Sequence, residues 1–160
     1  MESDIEIINF TDIPFSEKLL AKVAKKVLKE EKVAPTSLSI VLVGAERMRK
    51  LNRQYRGKNR VTDVLAFPAM KFDFSKPYNT FKELRKIEGL GEIVLCPRVI
   101  KKNARRFNLS FKQELFRCLI HGVLHLLGYD HEKNAKEGRE MKEREEKYLS
   151  LLKFQITNLK

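Results

Sequence analysis

The three histidines of this 160-residue chain, His121, His125 and His131, all lie within one short stretch. His121 and His125 are four residues apart, so on a helix both imidazoles lie on one face, about one turn apart. Gly128 suits the left-handed conformation that ends a helix, and such a turn can bring His131 back toward that face. Three neutral imidazoles with an open fourth position form a catalytic type of zinc site. The spacing therefore predicts one divalent metal ion per chain, with Zn²⁺ as the preferred ion.

The residue at position 122 separates this motif from a familiar peptidase pattern. The histidines and Gly128 match the metzincin pattern H-E-x-x-H-x-x-G-x-x-H everywhere else. Gly122 stands where those peptidases carry the glutamate that acts as general base. Asp130 is the nearest carboxylate that can take a direct chemical role or orient a ligand, and we include it as a catalytic candidate. The alternative is an ordinary turn aspartate.

The elements that must position these residues follow from the hydrophobic pattern. Strands are predicted over residues 5–10, 38–43, 64–67 and 91–96. Helices are predicted from the N-cap Ser16 to before Pro35, and over 46–55, 97–107, 111–127 (capped by Ser110) and 132–153. Residues 69–90 are predicted to form a long loop or a partly helical insertion. The pattern indicates one domain over residues 1–160, an α+β fold of α/β type. A small mixed sheet of about four strands packs with helices, and the metal site lies on a helix and its following turn.

Composition excludes several classes of protein. Lys and Arg number 33 against 21 Asp and Glu, a net charge of +12 that favours a polyanionic partner. Apolar stretches fall far short of the ~20 residues of a membrane-spanning helix, and the acidic start of the chain does not resemble a secretory signal. Two cysteines do not make a disulfide framework. We therefore expect a cytoplasmic protein without a membrane partner.

Positive charge concentrates in two segments of the sequence. Residues 45–60 contain Glu46 as their single acid among many arginines and lysines, and residues 98–106 contain no acid. Such clusters suit the phosphates of a nucleic acid. The predicted RNA-binding residues are Arg53, Arg56, Lys58, Arg60, Lys101, Lys102, Arg105 and Arg106. The alternative for each cluster is a solvated helix face.

Three sequence blocks resemble one known family. His121-Gly-x-Leu-His125-Leu-x-Gly128-Tyr-Asp130-His131 is similar to the signature of the YbeY family of bacterial ribosome-maturation endoribonucleases. A second block that agrees is Leu51-Asn-Arg-Gln-Tyr-Arg-Gly-Lys58 followed by Thr62-Asp-Val-Leu-Ala-Phe-Pro68, and the third is Gly91-Glu-Ile93. The departures are Asn59-Arg60-Val61, where an acidic residue and a proline are common, Ala66 for a frequent serine, and Glu92 for a frequent aspartate. These departures bear on substrate preference more than on the family.

The resemblance implies a metal-dependent endoribonuclease that prefers single-stranded RNA. It implies maturation of the 3′ end of small-subunit ribosomal RNA and ribosome quality control, with the small ribosomal subunit as partner. It also implies three histidine ligands, carried here by His121, His125 and His131, and an important arginine, carried best by Arg56. Arg56 would hold the scissile phosphate or stabilise developing negative charge. Two alternatives remain, a metallopeptidase and a non-enzymatic ribosome-assembly module whose metal only holds the histidine turn.

Overall fold

A four-stranded mixed sheet forms the centre of the computed structural model, which describes residues 2–69 and 89–158. The strands are β1 (Asp4–Asn9), β2 (Ser37–Leu42), β3 (Val64–Pro68) and β4 (Gly91–Leu95). Their order is β1-β2-β4-β3, with β1, β2 and β4 parallel and β3 antiparallel to β4. The register places Ile40 between Ile7 on β1 and Ile93 on β4. The predicted mixed sheet of four strands is confirmed for the described residues.

Five helices accompany the sheet in the described part of the chain. They are α1 (Glu17–Glu30), α2 (Ala45–Arg56), α3 (Pro97–Arg106), α4 (Phe111–Leu126) and α5 (Ala135–Asn158). The predicted start of the last helix at residue 132 is wrong, because Asn134 provides the cap: its Oδ1 accepts from the Glu137 amide at 2.9 Å. Most of the predicted 69–90 insertion lies outside the described residues. Among the residues described, no helix is both long and apolar enough to cross a bilayer.

The two faces of the sheet are covered by different helices. Because successive side chains of a strand point to opposite faces, Leu38, Ile40 and Leu42 join one core while Val41 joins the other. The larger core lies under α1, α4 and α5, and the smaller one lies under α2, where Met48 is fully buried. Strands β2 and β4 therefore contribute apolar side chains to both cores, as is usual for strands covered on both faces.

Helix α4 packs against the sheet and carries the histidine motif. It begins with a capping box, in which Ser110 Oγ accepts from the Gln113 amide at 3.0 Å and Gln113 Oε1 accepts from the Ser110 amide at 2.9 Å. Gly122 faces β4, and a Cβ at this position would lie 3.0 Å from Cγ2 of Ile93. The chain reverses at Gly128, whose φ of 102° favours glycine. The helix thus lies close to the sheet, with the following turn at its C-terminal end.

Candidate metal centre

The three histidines meet at the C-terminal end of α4. His121 and His125 come from the helix, and the turn at Gly128 returns His131 toward them. The ring centroids are 4.6, 4.9 and 5.0 Å apart, and His125 Nε2 lies 3.0 Å from His131 Nδ1. Each ring offers a nitrogen within 4.8 Å of the others, a spacing suited to one shared cation. The structure thus brings together the three residues that the sequence predicts as ligands.

The electrostatics of the cluster keep at least one ring neutral. Burial, followed by the neighbouring His121 and His131 rings, lowers the pKa of His125 to about 4. At neutral pH His125 therefore retains a lone pair on its unprotonated nitrogen. Metal ions bind neutral imidazole, and three such ligands are a donor set that zinc accepts. The residues present thus fit a zinc-type site.

Glu145 is a member of this centre that the sequence reasoning missed. It lies on α5, only 12% of its side chain is exposed, and its Oε1 accepts a hydrogen bond from Nδ1 of His121. A carboxylate on Nδ1 leaves Nε2 with its lone pair and fixes the ring, a common arrangement behind metal-bound histidines. One sequence signal could have found it, since Met141, Glu145 and Tyr148 recur at helical spacing on the buried face of a highly charged helix.

Asp130 lies beside the histidines but is engaged in the turn. Its Oδ1 accepts from the backbone amide of Glu132 at 2.9 Å. This contact is the ordinary turn geometry of an aspartate and matches the alternative interpretation given above. Its negative charge raises the pKa of His125, although burial and the other rings outweigh it. A direct catalytic role for Asp130 stays a prediction.

Arg56 reaches the same end of the molecule from α2. It is the last residue of that helix, and Gly57, with a φ of 69°, ends the helix behind it. Arg56 Nη2 lies 3.4 Å from Oε1 of Glu132, and this oxygen lies 3.7 Å from Nε2 of His131. The Glu132 carboxylate thus lies between the guanidinium and the histidine cluster. The structure places the two sequence blocks that carry these residues at one surface.

A buried carboxylate fixes the turn that carries His131. Glu31, at the end of α1, accepts hydrogen bonds from Tyr129 Oη and Arg144 Nη1, both at 2.7 Å, and from Tyr148 Oη. Its side chain is 6% exposed. Burial and the hydrogen bond to Glu31 raise the pKa of Tyr129 and of Tyr148 to about 12, so both remain hydroxyl donors at neutral pH. The network therefore joins α1, α5 and the histidine turn.

The two basic segments meet at a pocket rather than over their full lengths. A cavity of about 460 Å³ lies between the first turns of α2 and α3, and Arg49, Arg98 and Lys102 line it. Of the residues predicted to bind RNA, Lys102 is at this pocket. The others, exposed on α2, α3 or the loop after α2, are Arg53, Arg56, Lys58, Arg60, Lys101, Arg105 and Arg106. Arg49 and Arg98 were not among the predicted RNA-binding residues.

A second group of potential ligands combines two residues of α4, N-terminal to the histidines, with one residue of the segment before β3. Asp63, Glu114 and Cys118 are close enough to share a cation. Arg117 already supplies the positive charge, with Nη2 2.9 Å from the fully buried Glu114 and 3.9 Å from Asp63. Burial raises the pKa of the Cys118 thiol well above its usual range, so it stays protonated. We interpret this group as an ion-paired brace between α4 and the segment before β3.

Known proteins are similar to this chain in sequence over most of its length. The family described as Endoribonuclease YbeY matches residues 6–153. Endoribonuclease YbeY of Thermotoga maritima is 37% identical over 134 residues, which cover 82% of this chain and 79% of the relative. Endoribonuclease YbeY of Thermodesulfovibrio yellowstonii is 46% identical over 116 residues, which cover 72% of this chain and 67% of the relative.

A solved structure agrees with the sequence relatives. The solution structure of TM1509 from Thermotoga maritima is 33% identical in sequence and superimposes with a TM-score of 0.60. The match covers 97% of this chain and 93% of the other. The match therefore extends over nearly the whole length of both chains. The chain belongs to the YbeY family of endoribonucleases.

Proposed function

We propose that this protein is a metal-dependent endoribonuclease that cleaves single-stranded RNA at the histidine cluster. His121, His125 and His131 would hold one divalent ion, Zn²⁺. The observation that carries the proposal is the convergence of three imidazoles with the Arg56 guanidinium, which lies one carboxylate away. When bound, the metal supplies Lewis acidity toward a phosphoryl oxygen and lowers the pKa of a coordinated water.

The side chains around the cluster have separate tasks in this proposal. Glu145 holds the His121 ring in one orientation and keeps its proton on Nδ1. Arg56 offers a planar fork of N–H donors, which suits a phosphate better than a metal. Glu132 occupies that fork in the absence of RNA. Because the Arg56–Glu132 pair is substantially exposed, it contributes no more than about 1 kcal/mol, and a phosphate can replace it readily.

The biological substrate in this proposal is ribosomal RNA. We place the enzyme in the cytoplasm, in the maturation of the 3′ end of small-subunit ribosomal RNA and in ribosome quality control, with the small ribosomal subunit as its partner. Support comes from the resemblance of the histidine signature and from the net charge of +12, which suits a polyanion.

Peptide hydrolysis is less well supported by the packing of α4. In the peptidases with this histidine spacing, the residue after the first histidine is the general base. Here Gly122 is buried against the sheet, where even a Cβ would lie 3.0 Å from Ile93. A glutamate at this position would enter the core. The packing thus leaves no room for the peptidase base at its usual place.

The proposal is tested by metal analysis combined with two substrates. Elemental analysis of the purified protein should give about one metal ion per chain, as a three-ligand site implies. The metal-loaded protein should cleave single-stranded RNA faster than duplex RNA, and a chelator should stop cleavage until metal is restored. A variant with all three histidines replaced by alanine, checked for folding by circular dichroism, should lose both metal and cleavage.

Each other outcome selects a different function. Cleavage of an unstructured peptide in place of RNA would indicate a metallopeptidase. Stoichiometric metal with no cleavage of either substrate would indicate an assembly module whose metal holds the turn. Metal content unchanged in the triple variant would show that the histidines are not the ligands.

A further inference from the structure

The pocket between α2 and α3 lies where the chain leaves two neighbouring parallel strands. Strand β2 leads into α2, which packs on the smaller core, and β4 leads into α3, whose Ile100 packs in the larger core on the other face. The helices that follow adjacent strands therefore depart to opposite faces of the sheet. A crevice at the carboxyl ends of such strands is the general ligand position of open α/β sheets.

The pocket combines an apolar interior with a basic rim. Ala45, Val61 and Val99 line it, and the two valines pack at the edge of the smaller core. Its volume of about 460 Å³ lies in the range of small-molecule sites. Apolar walls of this kind suit the faces of a nucleobase, which carry no charge.

The rim of the pocket is positively charged. Arg49, Arg98 and Lys102 are exposed there, and among the residues described none of them has a carboxylate within salt-bridge distance. Among the described residues that line the pocket, Glu46 is the one acid, and its Oε1 lies 3.9 Å from Nζ of Lys50. The rim therefore carries a net positive charge, which favours the phosphates on either side of a bound base.

The pocket and the metal centre lie along one side of α2. Arg49 and Arg56 are seven residues apart, so they share a face and are separated by about 10.5 Å at 1.5 Å per residue. Arg53 lies on the same side between them. Along one strand the charges advance by about 3.4 Å of helix axis per nucleotide. Successive phosphates lie farther apart than this rise because the backbone winds around the axis, so this distance corresponds to at most about three nucleotides. The arginines therefore form a continuous basic edge from the pocket to Arg56.

We propose that this pocket binds one unpaired nucleobase of the RNA, within about three nucleotides of the phosphate at Arg56. Arg49, Arg98 and Lys102 contact the phosphates that flank this base. This proposal rests on the proposed function, which supplies RNA as the substrate. It adds a physical reason for a preference for single-stranded over duplex RNA. A base held in a duplex is paired and stacked, so it cannot enter the pocket, whereas a base in a single strand can turn into it.

The rim and the interior can be tested separately because only the rim is charged. Binding of a fluorescent single-stranded oligoribonucleotide is measured by anisotropy at 4 °C across several salt concentrations, with each sample checked on a gel for intact RNA. Lys102→Glu should weaken binding and reduce the slope of log affinity against log salt by about 0.7 for one lost phosphate contact. Ala45→Phe, which fills the interior, should weaken binding and leave the slope unchanged. Lys22→Glu makes the same charge change on α1 and should bind as the wild type does.

A second measurement replaces each base in turn with an abasic residue. In the wild type, one position should lose about fivefold or more in affinity, and Ala45→Phe should remove this difference. Thermal unfolding by circular dichroism confirms that each variant is folded. A flat abasic scan, or Lys102→Glu and Lys22→Glu variants that bind alike, would overturn the pocket. If the protein cleaves RNA normally but no abasic position weakens binding, the pocket is refuted and the proposed function is retained. A sensitive position without any cleavage refutes the proposed function and retains the pocket.

Discussion

Glu145 offers a direct test of the metal centre, because it lies outside the histidine motif and acts on it from another helix. Its carboxylate accepts from Nδ1 of His121 and is largely shielded from solvent. Glu145→Ala removes the acceptor and frees the ring to rotate. Glu145→Gln keeps a carbonyl oxygen in place and removes only the negative charge. We expect both variants to bind metal more weakly, the alanine variant more than the glutamine variant.

The size of the effect follows from the contact. Losing the partner behind a metal-bound histidine typically costs about 10-fold to 100-fold in metal affinity. We assign the upper value to Glu145→Ala and the lower to Glu145→Gln. A 100-fold loss corresponds to about 2.8 kcal/mol, within the range of a hydrogen bond to a charged group. The difference between the two variants measures the contribution of the charge alone.

The assay is a competition titration of metal-free protein with Zn²⁺ against a chromogenic chelator. Glu146→Gln is the matched control, since it removes the same charge from the adjacent, exposed position of α5. Circular dichroism establishes that each variant is folded. Wild-type zinc affinity in Glu145→Ala would refute the reasoning. An equal loss in Glu146→Gln would show that the effect is general electrostatics rather than orientation of His121.

Three further substitutions test the surroundings of the cluster. Arg56→Ala should keep its metal and its melting temperature while RNA cleavage falls at least about 100-fold, and loss of metal or normal cleavage would exclude the phosphate role. Glu132→Gln frees Arg56 and should lower the KM for RNA by up to about fivefold in steady-state assays, so a higher KM contradicts the pairing. Glu31→Gln weakens three hydrogen bonds at a buried carboxylate, about 2 kcal/mol in total, and should lower Tm by about 4–8 °C in thermal circular dichroism. Glu30→Gln, at an exposed ion pair beside it, should change Tm far less.

The histidine cluster was predictable because its determinants are local. The four-residue spacing, the cap at Ser110 and the glycine at 128 all act within one helix and its turn, and helix geometry converts them directly into positions in space. The four strands were predictable for a similar reason, since short apolar runs bounded by proline and glycine mark them. Local patterns therefore predicted both the elements and the cluster of three histidines.

The remaining features depend on contacts between distant segments. The strand order, the approach of Arg56 to the histidine turn, and the partner of His121 all join residues far apart in the chain. Adjacency to His131 in the chain pointed to Asp130, whereas nothing in the local sequence pointed to Glu145 as the partner of His121. The start of α5 was placed too early because Glu132 continues the charged pattern, whereas the cap on Asn134 decides where the helix begins.

The packing of α4 explains how a peptidase-like spacing serves a different chemistry. Two histidines one turn apart fix which side of the helix faces the metal, and the next residue then points about 100° away. In this fold that direction leads into the sheet, where Gly122 allows close contact with Ile93. A glutamate base at position 122 is thus incompatible with the packing that positions the histidines. Other elements supply the groups around the cluster: Glu145 of α5 contacts Nδ1 of His121, and Arg56 of α2 contacts the Glu132 carboxylate beside His131. A guanidinium such as that of Arg56 suits a phosphate better than a peptide carbonyl, which agrees with membership of an endoribonuclease family.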